Sequence, residues 1–253
     1  MMLPLLLLLA FHLLPGSIAE EIIGGHEAQP HSRPYMALVA LLRDDGKWQT
    51  CGGFLVEEDI VLTAAHIPRS PMTVILGAHD FLLQEETQQK IPVKKAIPHP
   101  NFIDATSGND IMILQLKTKA QLTPAVGLLP LPGDSDQVRP GQVCSVAGWG
   151  RITQNETTSK LHEVDLIIQE PFQCEHRFLN YDRTSQLCVG DPQKQRCSFK
   201  GDSGGPLVCG NVAQGIASYG KEEGIPPRVF TKISSFLPWI KKTIKHLQLE
   251  ESP

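Results

Sequence analysis

Short apolar and β-branched runs recur along the whole chain, each closed off by glycine, proline, asparagine or aspartate, and this punctuation leaves little room for a helical bundle. The runs are Tyr35–Leu42, Gly53–Val56, Ile60–Leu62, Thr73–Leu76, Ile111–Leu116, Val143–Ala147, Leu161–Ile168, Pro206–Cys209, Val212–Ala217 and Arg228–Ile233. With 21 glycines and 20 prolines spread over 253 residues, the chain reads as all-β, a barrel or a sandwich. Pro124, Pro130, Pro132 and Pro140 read as a connection between two halves, near 122–140. One helix is expected, after Ser234-Ser235, where Phe236, Ile240, Ile244 and Leu247 share a face and Lys241, Lys242 and Lys245 point away. Those lysines are a basic patch for acidic glycans or a solvated face, and the Glu250-Glu251 that follows favours the solvated face.

The amino terminus sets the compartment. Leu3–Leu14 is an apolar run too short to span a bilayer, and the small residues at Pro15–Ala19 suit a signal peptidase. The run lacks the usual basic flank, and its alternative, a buried amino-terminal helix, would be a poor start for a soluble domain. The expected division is a signal peptide over 1–19, the pair Glu20-Glu21, a domain over 22–248 and a tail over 249–253. No later segment is apolar enough to cross a membrane, so stable membrane insertion is not expected. Lys and Arg number 23 against 27 Asp and Glu, a net charge of −4, which argues against nucleic acid as a partner. Export makes the 6 cysteines candidates for disulfides, though sequence alone does not choose among their pairings. No spacing suggests a metal site, and no cofactor is implied. Asn155-Glu156-Thr157 is a glycosylation sequon.

Three segments carry chemistry. Leu62-Thr63-Ala64-Ala65-His66 sets a histidine after a strand among small residues. Asn109-Asp110 sets an acid at the mouth of an apolar strand, and Gly201-Asp202-Ser203-Gly204-Gly205-Pro206 sets a serine in a glycine-rich turn. Singly, each has an ordinary reading: a half-buried histidine, a strand-entry cap, a turn serine.

Together, in the order His, Asp, Ser, they resemble the chymotrypsin-like serine proteases. The likeness extends from Ile22-Ile23-Gly24-Gly25 through Cys51-Gly52-Gly53, Gly148-Trp149-Gly150 and Ser218-Tyr219-Gly220 to about Leu247. Pro30–Met36 and Leu76-Gly77-Ala78-His79 resemble the granule-protease branch of granzymes, cathepsin G and mast-cell chymases. The resemblance implies two antiparallel six-stranded β-barrels with a carboxy-terminal α-helix. It implies His66, Asp110 and Ser203 as catalytic residues, with the N–H groups of Gly201 and Ser203 as an oxyanion hole. It also implies Glu20-Glu21 as an activation dipeptide, with the ammonium of the trimmed Ile22 paired with Asp202.

The pocket for the residue before the scissile bond would comprise Cys197, Ser198, Ser218, Tyr219, Gly220 and Arg228, with Lys200 at its rim. Members of the granzyme B type carry arginine at the position matching Arg228 and cut after aspartate, so Asp or Glu is the expected preference. Chymotrypsin-like or broader cleavage is the alternative. An inactive binding or antimicrobial relative is another, which the intact His66, Asp110 and Ser203 oppose. Expected partners are protein or peptide substrates, serpin inhibitors and granule proteoglycan, in a secreted or granule-stored protein. The family usually has a cysteine after its histidine, bonded to the one matching Cys51, but here that place is Ile67. The resemblance therefore leaves Cys144–Cys209 and Cys174–Cys188 as bridges and Cys51 and Cys197 free.

Overall fold

The structure is a computed structural model describing residues 24–43, 45–133, 136–151, 157–194, 197, 201–221 and 224–251. The expected signal and activation segments, Ile22, Asn155, Ser198 and Lys200 lie outside the described residues. In chain order the strands are β1 (His26–Glu27), β2 (Met36–Leu42), β3 (Trp48–Glu57), β4 (Ile60–Thr63), β5 (Met72–Leu76), β6 (Gln89–Pro98) and β7 (Met112–Leu116). They continue as β8 (Val143–Gly148), β9 (His162–Ile167), β10 (Gln186–Val189), β11 (Pro206–Cys209), β12 (Val212–Tyr219) and β13 (Arg228–Lys232). Among the described residues two α-helices complete the list, α1 (Pro171–Glu175) and α2 (Leu237–Glu251).

The first half closes into an antiparallel barrel in the order β2-β3-β4-β7-β6-β5. Its strands are rich in leucine, isoleucine and valine, and β4 and β7 are buried at every position, which is why they read as continuous apolar runs. Sequence patterning misses β6, whose two prolines and three lysines look unlike a strand. Among its ten residues only Ile91 is fully buried, and a bulge between Val93 and Lys95 lets it wrap the barrel with one face in solvent.

The second half is a seven-stranded sheet ordered β1-β9-β8-β11-β12-β13-β10. Its outermost strand, β1, spans only two residues. The other six curl so that Ile168, just after β9, and Val189, the last residue of β10, form a single bridge that completes a ring. Patterning misses β1 and β10 for the same reason: each is too short to display a period.

The connection binds both halves as it passes. The N–H of Leu129 donates to Leu55 O at 2.9 Å in the first barrel, and Pro130 O accepts from Ala213 N at 2.9 Å in the second. Helix α2, which follows the last strand of the second half, returns to the core of the first. Ile240, Ile244 and Leu247 are buried in the cluster that contains β2–β7, and Lys241, Lys242 and Lys245 are exposed. The two halves are thus clasped together, and the residues at their seam have fixed positions.

Candidate active site

Strands β4 and β7 are antiparallel neighbours, with Thr63 opposite Met112. That register brings the residues just after Thr63 and just before Met112 to one end of the barrel, where His66 and Asp110 meet. Asp110 is buried at 1% exposure and is surrounded by donors. Its Oδ1 accepts from the His66 backbone N–H at 2.9 Å, and its Oδ2 lies 2.7 Å from His66 Nδ1 and 2.5 Å from Ser218 Oγ. The Thr231 hydroxyl donates to Asp110 O at 2.8 Å. A carboxylate out of water needs such partners, and three donors supply them. Because Nδ1–H donates to Asp110, the half-buried imidazole keeps Nε2 as its proton acceptor.

Ser203 sits on a turn wedged between the two halves. Its carbonyl accepts from Gly52 N on β3 at 2.8 Å, and the next residue, Gly204, donates to Ala217 O on β12 at 2.9 Å. Gly204 has φ +85°, and a Cβ there would fall 2.1 Å from Thr63 Oγ1 and 2.4 Å from Gly52 O, so only glycine fits. The same hypothetical atom lies 3.0 Å from Ile67 Cδ1. The serine turn therefore rests on the segment Thr63–Ile67 that carries His66. Gly201, at φ +107°, is equally constrained, since a Cβ would stand 2.6 Å from Gly150 Cα. Asp202 is completely buried, and its Oδ1 accepts from Gly150 N at 3.0 Å.

Comparisons with known proteins decide what this seam belongs to. The family model described as Trypsin matches residues 22–240. The chain belongs to the trypsin family of serine endopeptidases. Granzyme H of Homo sapiens is 57% identical over 96% of this chain and 99% of its own length. Granzyme B of Homo sapiens is 56% identical over 96% and 98%, and Mast cell protease 3 of Ovis aries 54% identical over 98% and 99%. A solved structure described as "Structure of GrC" matches with TM-score 0.86 and 52% identity, covering 89% of this chain and all of that one. The enzyme thus acts on protein or peptide substrates, and the granule-protease resemblance read from the sequence is borne out. No helix among the described residues is long and apolar enough to cross a membrane.

In this trypsin-family enzyme Arg228, expected in the pocket, is the first residue of β13. Its guanidinium lies over Gly220, where a Cβ would come within 2.8 Å of Cζ, and its Nη1 donates to Lys221 O at 3.1 Å. Burial pulls its pKa down, while the negative charge of Asp202 acts in the other direction. Cys197 is fully buried, with its thiol 2.8 Å from Gly224 O. Tyr219 packs edge-on to Phe178 at 5.3 Å, and burial raises its phenol to about 12. The disulfides are Cys144–Cys209 and Cys174–Cys188, with Cys51 and Cys197 free and buried.

Sequence reasoning places Ser218 in the pocket wall but misses its bond to Asp110, and it misses Thr231 altogether. Both reach Asp110 from the second half, more than a hundred residues away in the chain, and no local motif announces that contact.

Proposed function

We propose that this peptidase, once Glu20-Glu21 is removed, hydrolyses peptide bonds through Ser203, His66 and Asp110 and prefers Asp or Glu before the scissile bond. The observation that supports the triad is the buried Asp110, bound to His66 Nδ1 at 2.7 Å, beside the serine turn seated on Thr63 and Ile67. His66 Nε2 takes the hydroxyl proton as Ser203 attacks the carbonyl, and later gives it to the leaving amine. Asp110 holds the ring's tautomer and steadies the imidazolium. The N–H groups of Gly201 and Ser203 receive the oxyanion of the tetrahedral intermediate. Water then releases the acyl group by the same path. Buried Asp202 meets the new Ile22 ammonium, a charge that costs too much to bury alone.

Arg228 supports the acidic preference. A largely desolvated guanidinium gains a bidentate partner from a substrate carboxylate, repels lysine and arginine, and gains no charge partner from an aromatic residue. Lys200 at the rim and Ser198 in the wall complete the proposed pocket. A second reading, chymotrypsin-like or broader cleavage, is favoured by the bond from Arg228 Nη1 to Lys221 O, which would hold the guanidinium aside.

A positional peptide library, turned over by protein beginning at Ile22, separates the two. Acidic selectivity over phenylalanine on the order of a hundredfold, lost in Arg228→Gly, is expected. Equal turnover of Asp and Phe peptides selects the second reading. An organophosphonate should label the enzyme covalently and leave Ser203→Ala unmodified.

We also propose that the protein is secreted or stored in granules, with its sequon at Asn155 glycosylated. Its further partners are serpin inhibitors, which this chemistry would engage as substrates, and granule proteoglycan.

A further inference from the structure

His79 stands between the amino-terminal strand and the loop that wraps Asp202, and the peptidase chemistry does not use it. Its Nε2 lies 2.9 Å from Glu27 Oε1, and Glu27 belongs to β1, the first strand after the expected amino terminus. The ring is buried and its Nδ1 has no hydrogen-bond partner, so Nε2 carries the proton and donates it to the carboxylate. Lys160 Nζ reaches the other Glu27 oxygen at 3.1 Å. The hydrogen bond from His79, with that from Lys160, holds the Glu27 carboxyl below its ordinary range.

The backbone of His79 is committed in the opposite direction. Its carbonyl accepts from Trp149 Nε1 at 3.0 Å and from Leu161 N at 2.9 Å, and its N–H donates to Glu85 Oε2 at 2.7 Å. Trp149 is buried between two glycines pressed against Asp202. A Cβ on Gly148 would fall 2.2 Å from Asp202 Oδ1, and one on Gly150 2.5 Å from it. A single residue thus grips the strand that follows the new terminus with its side chain. With its carbonyl it grips the loop that cradles the acid beside Ser203.

We infer that His79 is a positioning residue for activation: it holds β1 and the Gly148–Gly150 loop in register, so that the Ile22 ammonium and Asp202 meet. The inference rests on the proposed pairing of Ile22 with Asp202. Its energetic source is a hydrogen bond to a charged group, sheltered from water on the histidine side, of a strength that moves a docking equilibrium by about tenfold.

The test uses the enzyme beginning at Ile22, with two measurements on the folded protein. One is the rate at which cyanate carbamylates the Ile22 amine, and the other is the fraction of Ser203 that an organophosphonate labels. In wild type the amine should be protected. His79→Ala and Glu27→Ala should raise carbamylation about tenfold and lower the labelled fraction while circular dichroism stays that of the folded protein. His79→Gln, which can put an N–H near the place of Nε2, should restore both.

A histidine that only stabilises the fold would shift the thermal midpoint without exposing the amine. Wild-type protection in both alanine variants overturns the inference. Should His79→Ala not fold, Glu27→Ala decides alone, because that side chain is 39% exposed and its removal leaves no cavity. Asp202→Asn separates the two levels of the argument. If the wild-type amine reacts as fast as in denatured chain, the pairing of Ile22 with Asp202 fails. If wild type is protected and Asp202→Asn is not, while both alanine variants behave as wild type, only the role of His79 fails.

Discussion

The amino-terminal barrel closes through five consecutive residue pairs between β2 and β5, Ala37–Leu41 against Met72–Leu76, and neither disulfide lies within it. The carboxy-terminal ring closes through the single bridge Ile168–Val189 and carries both disulfides. Cys144–Cys209 ties neighbouring strands β8 and β11, and Cys174–Cys188 ties α1 to β10. The contrast follows from what each half holds. The first presents two side chains, His66 and Asp110, on a continuous hydrogen-bonded frame. The second presents loops, with the serine turn, Cys197 and Arg228 all outside or at the ends of strands. A frame of paired strands and packed aliphatic residues stabilises itself, whereas glycine-rich loops gain from covalent limits on their unfolded alternatives.

The comparison is broken most severely at the contact both halves share. Asp110 takes His66 from the first half and Ser218 and Thr231 from the second. Asp110→Asn should lower kcat by about ten-thousandfold, because an amide presents the wrong partner to the ring, while the protein still folds. Steady-state turnover of an acidic peptide measures this, and a loss under tenfold would mean that the ring is oriented by something else.

Removing the staples comes next. Replacing Cys144 and Cys209 together by alanine should cost about 4 kcal/mol, and replacing Cys174 and Cys188 about 3 kcal/mol, in denaturant unfolding. Hydrogen exchange should show the loss in β8–β13 and leave β2–β7 nearly as protected as before. Equal loosening of both halves would remove the distinction drawn between them.

The converse experiment adds a staple to the unstapled half. Ile67→Cys places a thiol where the family usually has one, in the same buried cluster as Cys51, and a bridge between them should raise stability by about 2 kcal/mol. The gain is smaller than the losses above because Ile67 already fills its site and touches the Gly204 turn. Without that substitution both free thiols should be unreactive: burial raises each to about 11, so alkylation at neutral pH should need unfolding. Rapid labelling of native Cys197 would show that the pocket opens to solvent.

Much of this asymmetry is legible in the residues. Ile67 after the histidine announces the absent bridge, and the glycines around Ser203 announce a turn that admits no side chain. The apolar runs of β2, β4 and β7 declare themselves because both their faces are buried. What stays hidden is whatever depends on distant partners. The solvated β6 looks like a lysine-rich loop, and the four residues of β10 carry no period. The bonds from Ser218 and Thr231 to Asp110 cross from one half to the other, over more than a hundred residues of chain. Sequence reveals such a site through its motif and conceals its supports, which are single hydroxyls scattered along other strands.

The smallest effect sharpens the comparison at one short pattern, Asp-x-Thr-Ser, which occurs in each half. Asp104 accepts from Thr106 N at 2.8 Å, Thr106 Oγ1 at 2.6 Å and Ser107 Oγ at 2.7 Å. Asp182 accepts from Thr184 N at 2.9 Å, Thr184 Oγ1 at 2.7 Å and Ser185 Oγ at 2.6 Å. The hydroxyl of Thr106, with those of its neighbours, holds the Asp104 carboxyl at about 2, and the Ser185 hydroxyl holds Asp182 less far below its ordinary value because burial opposes it. Both folded values are depressed, so each turn is fully supported above the ordinary carboxylate pKa and loses that support as the pH falls through its folded value. Acidification should therefore release the Thr184 turn of the second half at a higher pH than the Thr106 turn of the first. Amide resonances of Thr106 and Thr184, followed by NMR from pH 6 downward, measure the order directly. Asn at either position should abolish the corresponding transition, since an amide has no carboxylate to protonate. If Thr106 moved first, the capping turn of the first half would be the weaker of the two, and the contrast between a self-supporting barrel and a stapled one would not extend to their loops.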